Sequence, residues 1–409
     1  MRTTALTIGK LIWIAASCSA VAQTLAVRGG VVHTMAGPPV RDGVVLIRDG
    51  RIERVGPAAS TPVPPGWTTL RAAVVTPGLV DAHTVVGLTG YLNQAHDQEQ
   101  VERSAPMQPE LRAVDAYDPG ERLVEYVRSL GVTTLHTGHG PGILISGQTM
   151  IVKTAPGASS VLQPAAMVAA TLGEDAKEPG KQPGTRGRMI AMLRAELIKA
   201  QEYARKMENA DASKRPPREL RSDAFAALLK GEMPLLVAVN RARDIVTAIR
   251  VGKEFGLRLV LDGVAEAPQV LAEIKASGYP VIVHPTMQRS SGETENLSFE
   301  TAARLRAAGI AFALQSGFES YVPKTRVVLF EAALAAANGL SFDQALASIT
   351  IDAARLLGID RRVGSLEAGK DADLALYDGD PFEYTTHAMG VLIDGKPVSG
   401  GGAAVGASR

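Results

Sequence analysis

The sequence predicts an α/β chain: a distorted (β/α)8 barrel of the TIM type, with a small composite β-sandwich formed by both termini. Three observations carry this. Short continuous apolar runs alternate with helical stretches through the middle of the chain, the pattern of parallel strands buried on both faces. Both ends instead carry hairpin-like pairs of short strands. The length, 409 residues, leaves room for both units.

The N-terminus stands apart from this plan. "MRTTALTIGK" carries Arg2 and Lys10, "LIWIAASCSAVA" is apolar, and Ala20-Val21-Ala22 precedes Gln23. That order of charged, apolar and small residues reads as a secretory signal peptide over residues 1–22, the alternative being an N-terminal membrane anchor. The apolar run is too short to span a bilayer, and no other segment approaches the required length. Cys18 is the single cysteine of the chain, and Ala15 stands where a lipobox carries a branched residue. Cleavage after Ala22 leaves no cysteine, which excludes disulfides and thiolate ligands and suits an oxidising compartment. The expected location is periplasmic or secreted, and the cleaved chain is not an integral membrane protein.

Residues 24–75 and 365–409 are assigned to the sandwich. "GVVLIRDGRIERVG" is a hairpin turning at Asp49-Gly50. "DLALYDGDP" and "VLIDGKPV" repeat the device, the second bending at Asp394-Gly395. Residues 76–364 form the barrel. Its strands are "GVTTLHTG", "MPLLVAVN", "GLRLVLDG", "YPVIVHP" and "GIAFALQSG", separated by helices such as "RARDIVTAIRVGKEFG" and "SFETAARLRAAG". Residues 172–187, "LGEDAKEPGKQPGTRG", interrupt the rhythm. They read as a substrate lid or partner surface, or as a solvated insertion on the barrel wall.

Composition excludes some functions. Lys+Arg 43 against Asp+Glu 42 gives net charge +1, so no global field favours nucleic acid or an anionic membrane. Aromatic content of 4% weakens a base-stacking role. The expected partner is a small-molecule substrate; the sequence leaves room for a homo-oligomer. Barrel chemistry sits at the C-terminal ends of the strands. The residues there are His83, His136, His139, Asn240, Asp262, His284, Gln315 and Ser316.

Two passages, "VVTPGLVDAHTVVG" and "ASITIDAARLLGIDRRVGSLEAGKDADLALYDGDPF", resemble the amidohydrolase superfamily, in particular its imidazolonepropionase-like and Xaa-Pro dipeptidase-like branches. The resemblance covers residues 24–398. It implies a barrel with a composite sandwich, and a metal-activated water that hydrolyses a C–N bond of a small amide, cyclic amide or peptide-like substrate. The family's first strand reads Asp-x-His-x-His. Here His83 matches the first histidine and Val85 replaces the second. Asn240, Asp262-Gly263 and Ser316 fall where the family has a histidine, His-Gly and an essential aspartate. No lysine matches a carbamylated bridging ligand; Lys153 lies in "MIVKT", in the wrong context.

Valine has no lone pair, and a serine hydroxyl is a poor base without a partner. The family's binuclear site therefore does not assemble from these positions. One expectation is a rebuilt mononuclear site, zinc being the best match, held by His83, His136, His139 and His284 with Asp262 as ligand or base. The other is a metal-free binding module on the same scaffold. Asn240, Arg241, Gln315 and Ser316 are the candidate substrate-binding residues. Arg241, Arg243, Asp262 and Glu266 would suit a zwitterion or carboxylate, or alternatively helix-capping ion pairs. His96 falls on the loop after the first barrel strand; His33 and His387 belong to the sandwich.

Overall fold

The computed structural model describes residues 23–92, 94–156, 160–177, 183–318 and 327–400. The expected signal peptide, residues 1–22, lies outside them. In chain order the first strands are β1 (Thr24–Val32), β2 (Val40–Arg48), β3 (Arg51–Pro57) and β4 (Thr68–Pro77). The barrel region holds β5 (Leu79–Thr84), β6 (Val132–Thr137), β7 (Ile145–Gln148), β8 (Met150–Lys153), β9 (Ser160–Gln163) and β10 (Val168–Thr171). It continues with β11 (Leu235–Val239), β12 (Leu259–Gly263), β13 (Val281–Val283) and β14 (Phe312–Leu314). The last strands are β15 (Leu374–Tyr377), β16 (Ala388–Ile393) and β17 (Lys396–Ser399).

The two termini share one seven-stranded sheet in the order β17-β16-β15-β4-β1-β2-β3. Both Asp-Gly hairpins form as read. Asp49 and Gly50 have φ of 50° and 79°, and Asp394 and Gly395 have 49° and 70°, the paired left-handed residues that a tight hairpin turn needs. An isolated bridge from Arg51 to Asp371 brings the β3 end back toward the C-terminal strands. One apolar core, with Val27, Ile47, Ile52, Val75, Leu374 and Leu392, therefore draws on strands from both ends of the chain.

The barrel strands pair in two arcs, β5-β6-β8-β9 and β7-β10-β11-β12-β13-β14. The segment β7–β8 belongs to both, since β8 pairs antiparallel with β6 and β7 pairs antiparallel with β10. This antiparallel stave distorts an otherwise parallel ring. At the other seam the ladder between β14 and β5 is reduced to a bridge between Thr84 and Gly317. The Gly317 amide donates to the His83 carbonyl at 3.0 Å.

Strand side chains alternate between the two faces. Val80, Leu236, Val260, Ile282 and Ala313 point into the barrel and pack together, while Leu79, Leu235, Leu261, Val281 and Phe312 face the helices in the largest core. The helix Arg186–Met207 buries Ile190, Leu193, Leu197 and Ala200, the stripe its spacing predicts. Among the described residues no helix is long and apolar enough to cross a membrane.

Lys153 ends β8 fully buried, at the junction of barrel and terminal sheet. Its ammonium donates to Asp371 at 2.8 Å, Asp373 at 3.1 Å and Asp394 at 2.6 Å. Burial works against the ammonium, but the charge of Asp373 and the hydrogen bonds to all three carboxylates outweigh it and raise the pKa above the ordinary 10.5. A group with a raised folded-state pKa stabilises fully below its unfolded value. This contribution is therefore complete below about pH 10.5 and is lost as pH rises through the elevated value. Lys153→Met leaves buried Asp373 without its cation and is expected to cost about 3–5 kcal/mol in denaturant unfolding; unchanged stability would refute the clasp.

Candidate active site

The parity that fills the barrel also selects what stands at its mouth. Asp262 lies two residues beyond inward-facing Val260, Asn240 four beyond Leu236, and Gln315 two beyond Ala313. His83 enters from β5, where the pairing register shifts between Asp81 and Thr84. These four residues line one cavity of about 730 Å³, together with Val85, Arg103, Thr171, Arg186, Arg241 and Glu293.

His83 is 5% exposed and Asp262 also 5%. His83 Nδ1 donates to one Asp262 carboxylate oxygen at 2.7 Å, and the Gln315 side-chain amide donates to the other at 2.5 Å. Burial would depress the His83 pKa, but the charge and hydrogen bond of Asp262, then the charge of Asp81, override it and raise the pKa above 6.5. The Nε2 atom of His83 is buried with no hydrogen-bond partner among the described residues. The chain leaves β12 through Gly263 at φ 86° and Val264 at φ 51°. A Cβ on Gly263 would fall 2.7 Å from the Asn240 side-chain oxygen, so only glycine permits this approach.

The four histidines do not converge. His136 sits beside His83, ring centroids 5.5 Å apart, but its nitrogens hydrogen-bond the Ala82 carbonyl at 2.6 Å and the Thr149 hydroxyl at 2.7 Å. Burial, then the charge of His83, push its pKa down to about 3. His284 turns away from the cavity toward the Pro285 carbonyl at 3.2 Å and the Thr301 hydroxyl at 3.1 Å. Burial holds it at about 4. His139 is buried with both nitrogens unpartnered, and shares a small secondary cavity with His83 and Asp262. Burial lowers its pKa to about 4 as well.

The expected mononuclear site is therefore not assembled. Two of its four imidazoles have spent their lone pairs elsewhere, and Asp262 has given both oxygens to His83 and Gln315. Among the described residues, no three His, Cys, Asp or Glu side chains are arranged to hold a metal ion. A divalent ion in an oxygen and nitrogen site needs more donors than His83 Nε2 and His139 supply, so the residues present do not fit the metal that the resemblance implies.

The other candidates divide. Asn240 and Gln315 reach the cavity. Arg241 lines it too, but its guanidinium is committed to Glu266 at 2.8 Å, Glu295 at 2.7 Å and the Gly292 carbonyl at 2.9 Å. Glu266 caps the helix Ala242–Phe255 by accepting from the Ala242 amide at 2.7 Å, the capping alternative rather than a substrate grip. Ser316 does not line the cavity. Its amide donates to Asp81 at 3.0 Å and its hydroxyl to Thr84 at 3.0 Å, which stitches the β5–β14 seam. His96 is exposed and away from the cavity, and His387 is exposed against Asp378. Lys153 is a structural cation. Sequence reading missed Arg103, Thr171, Arg186 and Glu293 at the mouth: Arg103 and Glu293 lie outside the strands and longer helices, and Thr171 and Arg186 stand at the ends of their elements, where periodicity gives little guidance.

Residues 298–400 match the model of the amidohydrolase family. An imidazolonepropionase of Rhizorhabdus wittichii is 26% identical over 386 residues, covering 86% of this chain and 92% of that protein. The imidazolonepropionase of Maricaulis maris is 28% identical over 357 residues, 81% of this chain and 86% of its own. Among solved structures, an amidohydrolase from Thermotoga maritima superposes with TM-score 0.86 at 27% identity, covering 91% of this chain and 99% of that one. A mixed α/β fold with its site at the strand ends, joined to a sheet of both termini, and these likenesses together support the amidohydrolase superfamily as the class. Within it, the similarity is to the imidazolonepropionase-like branch.

Elemental analysis of the purified protein is expected to find no stoichiometric zinc, manganese or iron. One equivalent of a divalent metal, lost in His83→Ala, would overturn the donor count given above.

Proposed function

We propose that the chain hydrolyses a C–N bond of a small, polar amide, cyclic amide or peptide-like substrate, with water activated by His83 rather than by a metal. Its similarity to imidazolonepropionases and amidohydrolases supports a hydrolase acting on C–N bonds. The observation that carries the metal-free step is the hydrogen-bonded series Gln315–Asp262–His83, ending at a buried, unpartnered Nε2 of a residue that lines the cavity.

With Nδ1–H donated to Asp262, the lone pair of His83 resides on Nε2. In the proposed step Nε2 takes a proton from water as the water oxygen bonds to the substrate carbon. The electrons of the C=O bond move onto its oxygen. Asn240 accepts from the Ala265 amide through its side-chain oxygen at 3.4 Å, which leaves its NH2 to donate to that oxyanion. Collapse restores the carbonyl and breaks the C–N bond, and the His83 imidazolium returns its proton to the departing nitrogen. Asp262 orients the imidazole and stabilises its charged form; Gln315 fixes Asp262.

His83→Ala is expected to lower kcat/KM by about 10²–10⁴-fold, and Asp262→Asn to lower it while preserving the fold. Since the base must be neutral and its pKa is raised, kcat/KM should climb with pH to a plateau, through a value above 6.5. A panel of small amides, cyclic amides and dipeptides, beginning with the imidazolonepropionate that the relatives' name denotes, tests this. Thermal stabilisation by a panel member without turnover would favour the binding-module reading instead.

We also read residues 1–22 as an export signal, which places the mature enzyme in the periplasm or outside the cell. Intact mass of protein from a periplasmic or culture-supernatant fraction should then correspond to a chain starting at Gln23.

A further inference from the structure

We propose that residues 287–296 form a strap across the mouth of the cavity, held shut by two arginine clasps, and that release of the strap admits substrate. Gln288, Ser291, Gly292, Glu293 and Thr294 of this segment line the cavity wall. It contains no β-strand, only a short 3-10 turn over Gly292–Thr294. Within itself it is compact: the Thr294 hydroxyl donates to the Arg289 carbonyl at 2.9 Å, and the Ser290 hydroxyl to the Glu295 carbonyl at 2.7 Å. Such a segment moves as a unit rather than unravelling.

The strap has fixed roots. On one side Thr286 is tied to Glu331 through its amide and hydroxyl. On the other, the Thr301 amide begins the helix Thr301–Ala308 by donating to the Ser298 carbonyl at 3.1 Å. Between them, each clasp has the same construction. Arg186 donates twice to Asp244, at 2.9 and 3.0 Å, and also to Glu293 of the strap. Arg241 donates to Glu266 at 2.8 Å, and to Glu295 and the Gly292 carbonyl of the strap.

The two halves of the Arg241 clasp differ in burial. The barrel-side Glu266 carboxylate is 9% exposed and also caps a helix, whereas the strap-side Glu295 is 55% exposed. Losing the Glu266 contact would strand a buried charge. Losing the Glu295 contact returns both groups to water at little cost. The strap side is therefore where the clasp parts, with the arginine left on the barrel.

The inference rests on the cavity being the substrate site, so its test includes a measurement that needs no substrate. Asn296 adds a neutral tie from the strap, its side-chain amide donating to Glu266 at 2.8 Å. In Glu295→Gln and in Asn296→Ala, amide hydrogen exchange over 287–296 is expected to accelerate at least about threefold at low salt, with the barrel strands unchanged. In the unaltered protein, raising salt to about 0.5 M should produce the same local acceleration by screening the clasps. Exchange unchanged in both variants, or accelerated equally throughout the barrel, overturns the strap and leaves the hydrolase reading standing. Once a turned-over substrate is in hand, Glu295→Gln should change kcat/KM at least twofold, while the pH profile stays in place. An unchanged kcat/KM overturns the gating role. Absence of turnover in the unaltered protein counts against the hydrolase reading alone, because the exchange result stands without it.

Discussion

The Asp262 carboxylate is shared among three staves of the barrel. It belongs to β12, takes His83 from β5 on one oxygen and takes Gln315 from the end of β14 on the other. Those outer two staves meet at the seam where the regular ladder fails. A charged group in a dry interior is stable only when its lone pairs are met, so this carboxylate compels His83 and Gln315 to hold position. The Asp81–Ser316–Thr84 contacts secure the same seam one residue away. Holding this seam together and orienting the imidazole rest on the same contacts, and a substitution in the seam acts on both.

Buried charge elsewhere follows the same rule. Lys153 meets three carboxylates, Glu266 meets an arginine, an asparagine amide and a helix terminus, and Asp244 receives two bonds from Arg186. Each joins elements far apart in sequence. The buried polar atoms without a partner among the described residues include three imidazole nitrogens near the cavity, His83 Nε2 and both nitrogens of His139. Unpartnered buried nitrogen is costly and native proteins keep it where a ligand or reaction uses it. Where the resemblance places metal donors, this chain has Val85, Asn240 and Ser316, and its barrel mouth holds an imidazole oriented by a carboxylate.

Most of the fold could be read from the chain. The Asp-Gly dipeptides announced their hairpins through the backbone geometry they alone accept readily, and the apolar runs announced buried strands. The site was legible where strand parity applies: Asp262, Asn240 and Gln315 follow inward-facing neighbours at even spacing. His136 and His284 were misplaced because periodicity says which way a side chain leaves the backbone but not what receives it. Thr149 and Thr301, which occupy them, are unremarkable in sequence. Arg241 was correctly placed at the mouth but assigned to substrate, since nothing local shows Glu295 folding back across it.

The Lys153 junction also orders assembly in time. Its three carboxylates all lie between residues 371 and 394, so a chain emerging N-terminus first completes every barrel stave while this ammonium still lacks its partners. β4 must likewise wait for β15 on one edge. The barrel of a nascent chain thus carries a buried cation that it cannot satisfy, and the finished state is favoured only once the last strands arrive. Such a chain is held back from its final compaction until its C-terminal strands are made.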